Sequence, residues 1–126
     1  MARKKRSEQK SSNRLKPILD NLVGIEKSDD IMDMVMARLK DTEVNAPIPG
    51  KVYIYNYYAK TPNLLYDQYP ITSVNAVYNW GFVGYNMHLN KVRQYDWNQS
   101  ATSYYELKTI EVKTALILPL KYLVQN

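Results

Sequence analysis

The strongest structural signal in this chain of 126 residues is the stretch Lys51-Val52-Tyr53-Ile54-Tyr55-Asn56-Tyr57-Tyr58. It consists largely of β-branched and aromatic residues, which is typical of a β-strand. Strand alternation places Val52 and Ile54 on one face and Tyr53, Tyr55 and Tyr57 on the other. All twelve Tyr, both Trp and the single Phe lie at or beyond residue 53. Because aromatic side chains dominate protein cores, we expect the packed domain to begin near this strand.

Further strand patterns follow towards the C-terminus. The sequence predicts strands at 71–78, 82–89, 104–107 and 120–124, a short helix at 109–118 that ends before Pro119, and loops at 59–70 and 91–97. Gly84 lies within a predicted strand and indicates a bulge, a bend or a close approach of two backbones. Five short strands with one late helix predict a mainly β fold, a small antiparallel SH3-like barrel over residues 47–126.

The N-terminal part is different in composition. Residues 1–16 contain seven Lys or Arg and one Glu, and predict a basic flexible arm. Residues 17–46 predict a helical segment and a linker. Pro17 favours a helix start, Gly24 favours its end, and Ser28 is a candidate cap for a second helix. The apolar face of that second helix contains Ile31, Met34, Val35 and Leu39.

The composition excludes several classes of site. The chain has no Cys and a single His, which excludes disulfides and a histidine-rich metal site. No apolar run approaches the length of a membrane span, and no apolar stretch follows the basic start as in a secretion signal. We expect a soluble protein of intracellular origin without a metal or cofactor, stabilised by a partner.

His88 is the first candidate for chemistry. With Asn86 on the same strand face and Asp67 in a nearby loop, it has the surroundings of a general base. A lone His without a Ser or Cys nucleophile is more often structural, and we predict no enzymatic activity.

Two candidate binding surfaces remain. The aromatic residues Tyr53, Tyr55, Tyr57, Trp80 and Trp97 are predicted anchors of a protein interface, although the tyrosine face would also suit a half-exposed sheet. The basic residues form the second surface and would contact nucleic acid or an acidic partner: Arg3, Lys4, Lys5, Arg6, Lys91 and Arg93. Tyr95 and Trp97 beside Lys91 and Arg93 resemble a single-strand binding surface, but ordinary packing of these rings is the favoured interpretation.

The motifs Tyr66-Asp67-Gln68-Tyr69-Pro70 and Gly81-Phe82-Val83-Gly84-Tyr85-Asn86-Met87-His88 resemble a family of small tailed-bacteriophage proteins. The resemblance covers roughly residues 49–97 and implies a structural or accessory component of the virion. The strand–loop–strand layout also resembles barrels of the PemK/MazF type, at the level of the fold alone.

The sequence therefore predicts a non-enzymatic virion assembly protein, made in the host cytoplasm, whose residues 1–46 order on neighbouring subunits. Its expected partners are other virion proteins or further copies of itself. The alternative is a nucleic-acid-binding module that uses the basic arm and the loop from Lys91 to Trp97 to bind DNA or RNA. A weaker alternative is a PemK/MazF-like ribonuclease with His88, Asp67 and Arg93.

Overall fold

The computed structural model describes residues 12–24 and 26–126. Its helices are α1 (Lys16–Asp20), α2 (Ser28–Arg38), a 3-10 turn (Lys40–Thr42) and α3 (Thr109–Ile117). Its strands are β1 (Glu43–Val44), β2 (Val52–Tyr57), β3 (Leu65–Asp67), β4 (Ile71–Val77), β5 (Gly81–Asn86), β6 (Lys91–Asp96), β7 (Ser100–Leu107) and β8 (Leu123–Gln125).

Six strands form one antiparallel sheet in the order β1-β7-β2-β4-β5-β6, and β3 pairs with β8 in a separate ribbon. The mainly β, antiparallel prediction is confirmed. The SH3-like barrel is not confirmed, because β1 and β6 lie at opposite edges and the sheet is not closed. β1 has only two residues, too few to pair along the six residues of β6 and complete a barrel.

The helices pack on one face of the sheet. Leu15, Ile31 and Val35 are fully buried and belong to the same cluster as Ile54 of β2 and Ile71 of β4. Burying an aliphatic side chain of this size removes its apolar surface from water, which stabilises the fold by roughly 1.5–3 kcal/mol. The helical segment therefore shares a core with the sheet of its own chain. This corrects the prediction that residues 1–46 order on neighbouring subunits, at least for the described residues from Leu15 to Leu39.

Aromatic rings form the core of the opposite face. Tyr55 contacts Phe82, Tyr95 and Tyr104, with ring centroids 5.6, 5.6 and 5.1 Å away. Tyr57 lies edge-on to Tyr95, with centroids 4.9 Å apart. Tyr66 of β3 and Val124 of β8 pack against the same cluster, so the ribbon contributes to covering this face. Edge-to-face ring pairs of this kind each add about 0.5–1.5 kcal/mol beyond burial of their area.

An ion pair joins the N-terminal segment to α3. The Arg14 guanidinium donates to both carboxylate oxygens of Glu111, Nε to Oε2 at 2.8 Å and Nη2 to Oε1 at 2.7 Å. Glu111 is fully buried, and Arg14 also contacts the exposed Asp41 at 2.7 Å. Arg14 and Leu15, which the sequence predicts to be part of the flexible arm, therefore belong to the folded part.

Close backbone packing accounts for Gly84. A Cβ atom at Gly84 would lie 2.4 Å from Cγ2 of Thr72 and 2.7 Å from the carbonyl oxygen of Ser73. The pairing register of β4 and β5 shifts immediately beside it, between Val74 and Ala76. Of the three predicted alternatives for Gly84, the close approach is confirmed, and the register shift lies on the partner strand β4.

Five local predictions differ from the structure. Residues 91–96 form the edge strand β6 instead of a loop, and part of the predicted loop 59–70 forms β3. On the predicted apolar face of α2, Met34 is 45% exposed, whereas Met32 is buried. The predicted cap Ser28 is the first helical residue, and Lys27 occupies the cap position. The first helix ends at Asp20, four residues before Gly24.

Candidate functional site

The candidate general base is part of a buried hydrogen-bonded network that joins β3 to β5. His88 Nδ1 lies 2.8 Å from Oδ2 of Asp67, and Asn86 Nδ2 donates to the same oxygen at 3.2 Å and to the Tyr95 hydroxyl at 2.9 Å. The side-chain oxygen Oδ1 of Asn86 accepts hydrogen bonds from the backbone N–H groups of His88 and Leu89 at 2.8 and 3.0 Å. Residues predicted to lie near one another thus form one network, which we call the Asp67 network.

The Asp67 network is closed to solvent. The Asp67 and His88 side chains expose 1% and 4% of their surface, and Asn86 is fully buried. A general base must reach the proton that it abstracts, directly or through one water molecule. Here the carboxylate and the imidazole are sealed beneath the sheet and bond each other. The geometry is that of a structural support that fixes the loop after β3 onto β5.

The pKa values of the surrounding tyrosines move in the direction expected for a dry site. Burial raises the pKa of Tyr95, and it raises the pKa of Tyr57 to about 12. Burial also places the pKa of Tyr55 well above its ordinary value, while its hydroxyl lies 2.9 Å from that of Thr72. These phenols remain neutral hydrogen-bonding groups at physiological pH.

Most of the predicted aromatic anchors do not face solvent. Tyr53, Tyr55 and Tyr57 are 1%, 0% and 6% exposed, because helices cover one face of β2 and the aromatic cluster covers the other. They cannot contact another protein in this fold, and their prediction as interface residues is wrong. Trp97 is half-buried against Phe82, with ring centroids 5.4 Å apart.

Trp80 is the exception among the predicted anchors. It is 42% exposed at the turn between β4 and β5, where its ring stacks on that of Tyr78 at a centroid distance of 5.3 Å and an angle of 6°. The indole N–H of Trp97 supports this turn by donating to the Tyr78 carbonyl oxygen at 3.1 Å.

The structure does not assemble the predicted single-strand binding surface. Tyr95 is 3% exposed and its ring belongs to the aromatic core. Arg93 donates to the Leu65 carbonyl oxygen at 3.4 Å, and Lys91 lies exposed at the far end of β6 from Trp97. The two rings that the sequence places beside these charges pack against the protein, Tyr95 in the core and Trp97 half-buried. The predicted contact residues of the arm, Arg3, Lys4, Lys5 and Arg6, lie outside the described residues.

The most apolar exposed helix surface lies on α3, at residues that the sequence patterns did not indicate as a site. Ile110, Leu116 and Ile117 are 49%, 40% and 58% exposed, with Lys113 between them. We call these four residues the α3 face. Beside it runs an open groove of about 580 Å³, whose lining includes Val52, Met87, Val112, Lys51, Lys108 and Lys113.

A sequence signal for the α3 face exists. The opposite side of α3 is already buried at Glu111, Thr114 and Ala115. A helix on a protein surface normally carries polar residues on its outer side, whereas a helix that is apolar all round is normally buried. Isoleucine at both 110 and 117 departs from that pattern.

Comparisons with protein-family models, curated proteins and solved structures found no match to this chain. Within the described part of the chain, no helix combines the length and apolar character needed to span a membrane. Over the same residues, no group of three or more acidic or histidine side chains is arranged to hold a metal ion.

Proposed function

We propose that this chain is a non-enzymatic assembly protein of a tailed-bacteriophage virion, which binds a neighbouring protein through the α3 face. The phage assignment derives from the resemblance of the Tyr66–Pro70 and Gly81–His88 motifs. The binding assignment derives from the surface of α3 and is independent of that resemblance.

The observation that carries the proposal is the exposure of three large aliphatic side chains on one short helix. Protein interfaces have apolar centres with a polar rim. On the α3 face, Ile110, Leu116 and Ile117 supply the apolar side chains beside Lys113, and Lys108 and Lys51 lie at the adjoining groove. The stacked Tyr78 and Trp80 rings provide a second exposed apolar surface, at the opposite end of β4 from Ile71.

The Asp67 network supports the non-enzymatic part of the proposal. It contains the only His of the chain, and that imidazole is buried and bonded to Asp67. The residues that carry the phage resemblance are therefore arranged as internal supports, with the binding surface elsewhere.

Complementation of a phage that lacks this gene tests the proposal. The gene would be supplied in trans as the wild type, as the Ile110→Gln/Ile117→Gln variant, or as Val92→Gln, and purified particles would be analysed by quantitative mass spectrometry. Val92 is 57% exposed on the edge strand β6 and is the matched control, because it also replaces an exposed aliphatic residue by Gln.

We expect particles to contain the wild type and Val92→Gln at the same copy number. The Ile110→Gln/Ile117→Gln variant should be depleted at least about tenfold, which corresponds to about 1.4 kcal/mol of binding free energy. Absence of the wild-type chain from particles would refute the virion assignment. Equal incorporation of the α3 variant would refute the role of the α3 face.

A further inference from the structure

We infer that the partner of the α3 face is a second copy of this chain, which binds it head to tail through the surface of α1 and α2. The inference rests on the proposed function and identifies the neighbour that occupies the α3 face. It follows from the opposite charge of two apolar helix surfaces on the same molecule.

The first surface is basic. Lys113 lies within the α3 face, and Lys108 and Lys51 line the adjoining groove. Lys51 bonds Glu106 at 3.1 Å, whereas no carboxylate among residues 12–24 and 26–126 lies within 4 Å of the Lys108 or Lys113 ammonium group. Glu106 also lines the groove, so the surface keeps a net positive charge that a partner with negative charge would complement.

The second surface has that chemistry. Asp30, Asp33, Met34 and Ala37 recur at helical spacing along the exposed side of α2, and we call them the α2 stripe. Neither Asp30 nor Asp33 forms an ion pair with any other described residue. Met34 is 45% exposed.

An apolar groove borders the α2 stripe. Met34, Ala37 and Arg38 line one wall of this groove, which has a volume of about 380 Å³, and Pro17, Ile18 and Leu22 of the α1 region line the other, with Glu26 also in the lining. Its lining is predominantly apolar, which suits aliphatic side chains such as those of the α3 face.

The charges favour one mode of self-association. A symmetric contact of two α3 faces would bring Lys113 of both copies together, and a symmetric contact of two α2 stripes would bring their aspartates together. A contact between the α3 face of one copy and the α2 stripe of the next pairs lysine with aspartate. Because the two surfaces share no residue, each copy binds two neighbours, and repetition produces a closed ring or an open filament.

Charge reversal and mixing test this arrangement. Sedimentation velocity of the full chain over a range of protein concentrations would be compared for the wild type, Lys113→Glu, Asp33→Lys and an equimolar mixture of the two variants. Both substituted residues are exposed, and circular dichroism would verify the fold of each variant. Each variant alone places like charges across the contact, so we expect its Kd to rise about tenfold or more.

The mixture distinguishes the head-to-tail contact from any other. The α3 face of Lys113→Glu meets the α2 stripe of Asp33→Lys, and the reverse contact pairs the unchanged Lys113 with the unchanged Asp33. Mixing should therefore restore the wild-type sedimentation profile. A monomeric wild type at all concentrations, unchanged association of either variant, or no recovery on mixing would overturn the inference.

The two proposals fail in different ways. A chain that enters particles but stays monomeric in solution and shows no recovery on mixing retains the virion assignment and loses the self-association. A chain that associates head to tail but is absent from particles retains the self-association and loses the virion assignment.

Discussion

Replacement of Glu111 by Gln tests the ion pair that fastens the N-terminal segment to α3. The buried Glu111 carboxylate accepts hydrogen bonds from Nε and Nη2 of Arg14 and from the backbone N–H groups of Arg14 and Lys108, at 2.7–2.8 Å. An amide retains one acceptor oxygen and replaces the other by an NH2 group, which then faces two donors. The variant therefore loses the ion pair and leaves donors buried against one another.

The magnitude follows from these contacts. Two of the lost hydrogen bonds involve charged groups, which contribute roughly 1.5–3 kcal/mol each. Removing one partner of a buried ion pair costs roughly 3–5 kcal/mol. Because the Arg14 side chain is still 12% exposed and keeps its contact with Asp41, we expect the lower end of that range, about 3 kcal/mol.

Urea unfolding followed by tryptophan fluorescence measures this loss. With a slope of roughly 1.5 kcal/mol per molar, the midpoint of Glu111→Gln should fall by about 2 M. Asp41→Asn is the matched control, because it removes the other carboxylate that contacts Arg14. Asp41 is 71% exposed, and the control should lose less than about 1 kcal/mol. Equal midpoints for the two variants would refute the assignment of Glu111 as the essential partner.

The same variant has a defined pH dependence. Burial of Glu111 acts to raise its pKa, but the hydrogen bonds from Arg14 and the backbone N–H groups outweigh burial and hold the pKa below its ordinary value. A carboxyl group whose pKa is lower in the folded state stabilises the fold above its unfolded pKa, and that stabilisation is lost as pH falls through the folded pKa. The difference in unfolding free energy between wild type and Glu111→Gln should therefore narrow as pH falls below 4.5.

Three further predictions concern the aromatic face. Burial raises the pKa of Tyr57 to about 12, so the neutral phenol stabilises the fold below the unfolded pKa of 10. This stabilisation is lost as pH rises towards 12. An ultraviolet titration in which all tyrosines ionise together near pH 10 would contradict the prediction. Gly84→Ala should cost about 1–3 kcal/mol of unfolding free energy, because its Cβ would overlap Thr72, and an unchanged urea midpoint would contradict the close approach. Asp67→Ala should cost about 1–3 kcal/mol because it leaves the His88 imidazole without its buried acceptor, and proton NMR should show the imidazole resonances shifted; an unchanged spectrum and midpoint would remove the Asp67 network as a support.

Local patterns were sufficient to predict three helices and five of the strands, but not β1, β3 or β6. The alternation in β2, the position of Pro17 and the stop at Pro119 act within a few residues, and each predicted element exists in the structure with its boundaries shifted by a few residues. The role of Gly84 was predictable for the same reason, since a glycine weakens a strand interior and usually marks a bulge, a bend or a close backbone approach there.

Long-range arrangements were not predictable in this way. A barrel and an open sheet use the same strands, and they differ in which edges pair. The sequence pattern of Tyr53, Tyr55 and Tyr57 in β2 suits an exposed strand face as well as a buried one. Nothing local in the sequence shows that the sheet is covered on both faces. The partners Arg14 and Glu111 are 97 residues apart, and neither belongs to a recognisable motif.

In the candidate site, too, the local features were predictable and the long-range features were not. The association of His88 with Asn86 and Asp67 was predictable from strand alternation and a neighbouring loop, whereas its burial depended on the packing of β3 over the sheet. The α3 face was not predicted, because Ile110 and Ile117 depart from the pattern of a surface helix only once it is known which side of α3 is buried.

Hydroxyl-radical footprinting of the free chain, diluted until sedimentation shows it to be monomeric, and of purified particles tests the central claim, that the α3 face is covered by protein in the assembly. The reaction modifies exposed aliphatic side chains, and Val92 on the edge strand is the internal reference. We predict that modification of Ile110 and Ile117 falls about tenfold in particles, relative to Val92, as expected for side chains that enter a dry interface core. Equal modification of these isoleucines in the free chain and in particles would contradict the account.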